Sequence, residues 1–332
     1  MKIIIPMAGM GKRMRPHTLT TPKPLIPIAG KPIVAHLVEE VAATLPEAIQ
    51  EIGFVIGNFG EKVEAQLIDV AEKFGAKGRI FYQNEALGTA HAIFCAKEML
   101  NGKVVIAFAD TLFKATFNIK NHSDGSIWVK QVENPESFGV VKTIEDNIIS
   151  EFVEKPKSFV SNLAIIGIYY FKEGEHLKAE INNLIQKKKM VNGEYQLTDV
   201  LESLAKQGLK FSAVTVDNWF DCGNKNATVA TNLNLLKIQG GNFISSKSKI
   251  KNSIIVPPCY IAEDVEITNA VVGPYVSLEK GAQIYSGIVR NSIIQRFAVL
   301  KNINITNSMI GAYARINSKP DEFSLSDYSV IE

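Results

Sequence analysis

Near the start of the chain, two glycines sit among several cations in a proline-stiffened loop. It reads Ala8-Gly9-Met10-Gly11-Lys12-Arg13-Met14-Arg15-Pro16, and later Pro22-Lys23-Pro24-Leu25. Gly9 and Gly11 can turn backbone N–H groups towards an anion at low steric cost. Arg13 offers a planar, forked cation and Lys23 a point charge. Pro16, Pro22 and Pro24 restrict the backbone that carries them. Three readings compete. A dinucleotide fingerprint needs a third glycine where Met14 stands, and a Walker A loop needs a longer spacer before Gly-Lys, with Ser or Thr after. The third reading, an anion cradle with its own cations, stands against the bland one of a solvated surface loop.

Carboxylates supply the opposite charge. Asp110 follows the apolar run Val104–Ala109, and Asp221 follows Trp219-Phe220. Taken singly, an Asp after a strand is usually a turn residue. Two aspartates on two strand ends would suit magnesium's need for oxygen ligands. Glu154-Lys155, before Pro156, reads by itself as a surface pair at a strand end.

These groups need a frame to position them. Ile3–Met7, Gly53–Ile56, Arg79–Gln83 and Val104–Ala109 read as strands. Helical spacing marks Ile33 to Leu45, Val63 to Phe74, and Thr89 to Leu100 between them. Strand, helix, strand at these lengths predicts an open α/β sheet with parallel pairing and both faces covered. Ligands bind outside the carboxyl ends of the strands in such sheets, so the residues directly after strands carry most of the information.

Past Gly240-Gly241 helical spacing disappears. A unit recurs at Asn252, Asn269, Asn291 and Asn307, in steps of 17, 22 and 16 residues. Aliphatic residues fall six apart, as in Ile255, Ile261, Ile267 and again in Val272, Leu278, Ile284. That spacing describes a parallel β-helix with three hexads per turn; an ordinary sandwich would alternate every second residue. The 22-residue step predicts a loop or bulge near Tyr285 to Asn291.

At this point the motifs become recognisable. Gly9-x-Gly11-x-Arg13-Met14-x-Pro16-x-Thr18 is followed in order by Pro22-Lys23-Pro24-Leu25, Phe138-Gly139, Glu154-Lys155-Pro156, Gly193-Glu194 with Thr198-Asp199, and Trp219-Phe220-Asp221-Cys222-Gly223. Along its whole length the chain resembles the sugar nucleotidylyltransferases (NDP-sugar pyrophosphorylases), in particular the glucose-1-phosphate thymidylyltransferases and uridylyltransferases with a C-terminal left-handed β-helix. The resemblance implies a Rossmann-like mixed sheet, the nucleotide-diphospho-sugar transferase fold, as a catalytic domain over 1–240. A left-handed parallel β-helix would follow over 241–332.

The implied reaction joins a nucleoside triphosphate to a hexose-1-phosphate, glucose-1-phosphate by default, and releases pyrophosphate. Each phosphate monoester carries about −1.5 to −2 charge, so the barrier is mostly electrostatic. By resemblance Arg13 is expected on the α- and β-phosphates and the leaving pyrophosphate, and Lys23 near the α-phosphate and the attacking oxygen. Ala8, Gly9, Gly11, Gln83, Gly88 and Thr89 are expected to bind the nucleotide. A Gln amide offers both donor and acceptor to a pyrimidine imide edge, which points to UTP or dTTP. Gly139, Glu154 and Lys155 are expected on the sugar phosphate, with Asp110 and Asp221 on Mg2+. His91 is expected to pack on the helix that follows.

Two departures from the family pattern stand out. Ala109-Asp110-Thr111 replaces the commoner Gly-Asp-Asn or Gly-Asp-His, and Cys222 stands where relatives often carry a small residue. A cysteine there is expected to make activity oxidation-sensitive.

Composition excludes several classes. Lys+Arg of 36 against Asp+Glu of 34 gives no electrostatic case for nucleic acid or an anionic membrane. Ala164 to Phe171 is the longest apolar run, too short for a span, and the N-terminal isoleucines read as a strand rather than a signal peptide. Three cysteines, Cys95, Cys222 and Cys259, without a CxxC, fit a reducing cytoplasm and neither a disulfide framework nor zinc. Two other functions are open. One is a non-catalytic sugar-nucleotide sensor or regulatory subunit, which should have lost some of these charged residues. The other is a mannose-1-phosphate guanylyltransferase. An acyltransferase role for the tail would call for a histidine base, and all five histidines precede residue 177. The tail is instead read as an assembly module, making a homo-oligomer.

Overall fold

The computed structural model describes residues 1–115 and 123–319. His122 and the end of the second expected domain, 320–332, lie outside these. The chain sorts into two compact units. One is Met1–Ile26 with Pro32–Asn224; the other is Pro27–Lys31 with the chain from Lys225 on.

In the first unit β1 (Lys2–Pro6), β2 (Glu51–Ile56), β3 (Lys77–Tyr82) and β4 (Val104–Ala107) lie parallel in the order β3-β2-β1-β4. Helices α1 (Ile33–Thr44), α2 (Glu61–Lys73) and α3 (Thr89–Cys95) fall between them in sequence. Ile3, Ile4 and Ile5 have no exposed surface. A strand covered on both faces explains why β1 is an apolar run rather than an alternation. α3 stops short of the expected Leu100. From Ala96 onward the amides bond three residues back, Ala96 to Ile93 and Met99 to Ala96, the tighter 3-10 pattern. Ala96, Met99 and Leu100 are nevertheless buried, so the apolar spacing outlasts the helix.

Beyond β4 the sheet becomes mixed. β5 is Thr111–Lys114, β6 Gly125–Gln131, β7 Gly139–Thr143, β8 Ile149–Glu154 and β9 Leu163–Phe171. β9 runs antiparallel to β4, β6 and β7, and β8 runs antiparallel to β7. Helices α4 (Gly174–Gln186) and α5 (Leu197–Lys206) follow. β10 (Phe211–Thr215) pairs parallel with β6, while β11 (Asn218–Asp221) pairs antiparallel with β5.

The second unit begins with α6 (Lys225–Gln239). Asn232 on α6 is buried, and its Oδ1 accepts from the Ala29 N–H at 2.9 Å and the Ser277 hydroxyl at 2.6 Å. These bonds help hold the helix to its own unit. Two ladders of short parallel strands follow. Ile261 faces Leu278, which faces Ile294; Ile267 faces Ile284, which faces Leu300. Each step is a little short of three full hexads. Ile261, Ile267, Leu278, Ile284, Ile294 and Leu300 are all fully buried in one core. Parallel ladders with this register are consistent with stacked coils.

The expected bulge near Tyr285 to Asn291 is absent. Gln283–Arg290 is one strand that keeps register with Glu266–Val272 throughout. The long step arises because the Asn unit marks two different corners. Asn252, Asn269, Ser286 and Asn302 take left-handed backbone at one; Tyr275, Asn291 and Asn307 take it at the other. Asn tolerates that conformation wherever a corner needs it, so one residue type signals both.

Glu279 in this unit has a carboxyl oxygen shut off from solvent with no hydrogen-bond partner. Burial pushes its carboxyl up to about 7 against the pull of Arg296. The folded unit thus holds a proton that the unfolded chain releases near pH 4.5. Stability should fall as pH rises through that window and stay low above about 7. Glu279→Gln is expected to raise the melting temperature at pH 8 by an amount worth about 1–3 kcal/mol, and to leave it unchanged at pH 4. Equal shifts at both pH values would show that the carboxyl does not titrate in this way.

Candidate functional site

The loop after β1 is shaped by two glycines with different reasons. Gly11 has φ +56, and a Cβ there would come within 3.0 Å of the Thr18 methyl and 3.3 Å of Lys23 Cβ. Its carbonyl accepts both the Thr18 hydroxyl at 2.8 Å and the Met14 N–H at 2.9 Å, closing the loop over the buried Met14. A Cβ on Gly9 would meet nothing within 4 Å, so the backbone there is open to a ligand. Pro24 and Leu25 are buried, and they anchor the turn that begins at Lys23. Lys23 keeps only 13% of its side-chain surface and reaches Asp110 Oδ2 at 3.2 Å.

The loop after β3 forms the opposite wall. Gln83 extends the ladder through its N–H to the Ile56 carbonyl, and its side-chain Nε2 donates to Gly88 O at 3.2 Å. Gly88 has φ +99, and a Cβ would lie 2.6 Å from the Tyr195 carbonyl oxygen. The Tyr195 N–H donates to Leu87 O, the Ala90 N–H to Tyr195 O, and the Leu197 N–H to Thr89 Oγ1. The Gly193–Thr198 motif therefore braces the 87–90 loop. Gly88→Ala adds a clash to a backbone that only glycine adopts freely. It is expected to cost about 1–3 kcal/mol of stability and, if the loop binds the nucleotide that the resemblance implies, to raise the triphosphate KM at least about tenfold. Kinetics and a melting curve check this, and an unchanged KM would separate the loop from the nucleotide.

These walls enclose a cavity of about 430 Å3. It is lined by Ala8, Gly9, Gly11 and Arg13 from the first loop, by Lys23, by Gln83, Gly88 and Thr89 from the second, and by Asp110. Nine of the expected site residues thus share one space. Phe108 and Glu194 line it too. Neither was singled out by residue type, although Glu194 lies in a recognised motif.

Asp221 lies beside this space. It pairs with Thr111, the residue after Asp110, and the next N–H, from Cys222, donates to Asp110 O at 3.2 Å. Its Oδ1 accepts the Gly223 N–H at 2.6 Å. A Cβ on Gly223 would come within 2.8 Å of Asp221 Oδ1 and 3.1 Å of an Arg13 guanidinium nitrogen, so carboxylate and guanidinium flank that glycine. Two carboxylates leaving neighbouring backbone are hard oxygen donors that suit magnesium, with water and phosphate completing its shell. Among the described residues no group of three or more His, Cys, Asp or Glu gathers as a metal site, here or elsewhere, so this pair would rely on water and phosphate for the rest of the shell. The Thr111 hydroxyl accepts the Trp219 indole N–H at 3.1 Å, a structural use for the residue that departs from the family pattern. Cys222 is fully buried. That removes the expected oxidation sensitivity, because the thiol is out of reach.

Gly139, Glu154 and Lys155 form a second cluster outside that lining. Gly139 pairs with Glu154 across β7 and β8, and a Cβ on Gly139 would meet Glu154 Oε2 at 3.0 Å. The Thr198 hydroxyl donates to the same oxygen at 2.7 Å. Lys155 has φ 43 and is largely exposed, with Nζ 3.9 Å from Glu154 Oε1. A non-glycine in left-handed backbone stores strain of order 1 kcal/mol. Tyr169 connects the two clusters. Its hydroxyl is pushed far up by burial, then by the carboxylates of Glu154 and Asp110, so it feels both.

Comparison with known proteins bears on the family of the chain. A family model described as nucleotidyl transferase matches residues 2–238. The glucose-1-phosphate thymidylyltransferase of Streptomyces griseus is 25% identical over 97% of this chain and 95% of its own length. The bifunctional protein GlmU of Methanococcus maripaludis is 32% identical over 82% of this chain, which spans 62% of that protein. A solved UDP-glucose pyrophosphorylase, complexed with UDP-glucose, shares the fold with a TM-score of 0.58 at 23% identity, over 71% of this chain and 98% of that one. The chain belongs to the nucleotidyl transferase family, among its sugar nucleotidylyltransferases.

Proposed function

We propose that this enzyme couples UTP or dTTP to a hexose-1-phosphate, with glucose-1-phosphate the favoured sugar, to give an NDP-sugar and pyrophosphate. A phosphate oxygen of the sugar attacks the α-phosphorus. The new P–O bond forms as the bond to the β-phosphate breaks, and pyrophosphate carries the electron pair away. Arg13 neutralises the α- and β-phosphates and the departing pyrophosphate. Lys23 neutralises the α-phosphate and the approaching oxygen. Holding both anions in line is most of the catalysis. The backbone of Ala8, Gly9 and Gly11 supports the triphosphate, and Gln83, Gly88 and Thr89 hold the base. Gly139, Glu154 and Lys155 receive the sugar phosphate. Asp110 and Asp221 would hold Mg2+, whose chemistry when bound is further charge neutralisation on the triphosphate.

The observation that carries this reading is the cavity in which Gly9, Gly11, Arg13, Lys23, Gln83 and Asp110 meet. Its test is pyrophosphate release with magnesium across a panel of triphosphates and sugar-1-phosphates, with UTP or dTTP plus glucose-1-phosphate expected to be fastest. Release with no pair would favour the sensor reading instead. Lys155→Ala is expected to raise the sugar-phosphate KM about tenfold or more while the triphosphate KM moves little; equal shifts would take Lys155 off the sugar side.

Within this proposal 1–240 is the catalytic domain and 241–332 a left-handed parallel β-helix that assembles copies of the chain in the cytoplasm. The regular register of the parallel ladders and their single aliphatic core support the β-helix. Sedimentation of the full chain is expected to give a homo-oligomer, and a monomer at every concentration would count against the assembly role.

A further inference from the structure

His91 has no part in the proposed reaction, yet it contacts the side chain assigned to the base. Gln83 Nε2 lies 3.2 Å from Gly88 O and also 3.2 Å from His91 Nδ1. A carbonyl oxygen can only accept, so the Gln83 atom facing Gly88 is the amide nitrogen. That nitrogen can only donate, so His91 Nδ1 must accept. The imidazole is then neutral, with its proton on Nε2. Burial lowers the His91 pKa, against a weaker opposite pull from Glu85, which favours the same state. Both amide hydrogens are used inside the protein, and Gln83 has only Oε1, an acceptor, left for a ligand in the cavity it lines.

We propose that His91 is a positioning residue that locks the polarity of the Gln83 amide, so that the site takes nucleobases with a ring N–H on the edge they present. The inference rests on the nucleotide-binding reading above and deepens it. The imide N3–H of uracil or thymine meets this requirement, as does the lactam N1–H of guanine. Cytosine N3 and adenine N1 are bare acceptors; held in the same place they would face Oε1 lone pair to lone pair, and their exocyclic amines would meet it only if the base shifted. Selection against a base that leaves a buried polar group unpaired runs to about a hundredfold or more. The lock cannot separate UTP from dTTP, since both carry the same imide edge.

Two internal bonds hold the amide, and removing His91 as acceptor leaves one. The test is the ratio of UTP to CTP affinity by titration calorimetry, together with the same ratio in kcat/KM, for wild type, His91→Leu and His91→Asn. His91→Leu is expected to lower the UTP/CTP ratio about tenfold, the worth of one hydrogen bond. In His91→Asn the side-chain oxygen can accept in place of Nδ1, and the ratio should stay within about twofold of wild type. An unchanged ratio in a folded His91→Leu protein would overturn the proposal. So would an equal fall in both variants, which would mark His91 as packing, or a wild type that binds CTP as well as UTP. Failure of the nucleotide reading itself would look different, as no triphosphate would bind at all.

Discussion

Asp110→Asn and Asp221→Asn should each lower kcat at least about 10^2–10^3-fold with the fold intact. Asn keeps the shape of Asp and removes the charge. At Asp221 it also keeps an oxygen to accept the Gly223 N–H at 2.6 Å, so the turn that presents Gly223 should survive. Asp110 is half exposed at the cavity mouth, so weakening its pair with Lys23 should cost below about 1 kcal/mol. The affected step is the meeting of two anions. With one carboxylate gone, a divalent cation is held less tightly, and the repulsion between sugar phosphate and triphosphate is less screened. Pyrophosphate release, a magnesium titration and a melting curve on each variant check this. The magnesium concentration for half-maximal rate should rise in both variants while the melting temperature stays within a few degrees. Wild-type rates at low magnesium in either would remove that residue from the proposed metal site.

The parallel half of the sheet was legible because a strand buried on both faces cannot alternate, and β1, β2 and β4 do not. The antiparallel half was not traced strand by strand, since β6 to β9 pair across distances that local periodicity does not encode. α3 was overextended because burial of Ala96, Met99 and Leu100 imitates helical spacing through a 3-10 turn. In the site, glycine and charge were readable and side-chain partnerships were not. Nothing in the residue order says that Thr198 donates to Glu154, or that Gln83 shares its amide between Gly88 and His91. Expecting His91 merely to pack on its helix missed that contact. The signal was present as a Gln followed by a His on the first turn of the next helix, but its meaning depends on which way an amide points.

Lys23→Met is the second variant expected to have a large effect, and it tests how two paired charges of the cavity work together. Lys23 is mostly buried, its Cβ sits close beneath Gly11, and its ammonium pairs with Asp110 at 3.2 Å. Met keeps much of the stem's packing and removes the cation. Because the pair is partly exposed, the loss in stability should stay below about 1 kcal/mol. The loss in kcat should be about 10^2–10^3-fold, because in the proposed reaction the ammonium would act where charge gathers as the phosphate oxygen closes on the α-phosphorus. Lys23→Arg should recover little of it. A planar fork is wider than an ammonium, and the Lys23 ammonium already lies 3.2 Å from Asp110 Oδ2. The informative measurement is the double variant with Asp110→Asn. Groups that act as a unit lose far less together than the product of their single losses. Lys23 and Asp110 touch, and the lysine and the metal proposed for Asp110 would neutralise the same triphosphate, so the double variant should be only several-fold slower than the slower single one. A fully multiplicative loss would mean that the lysine and the carboxylate serve separate steps, and the shared electrostatic role proposed for them would have to be abandoned.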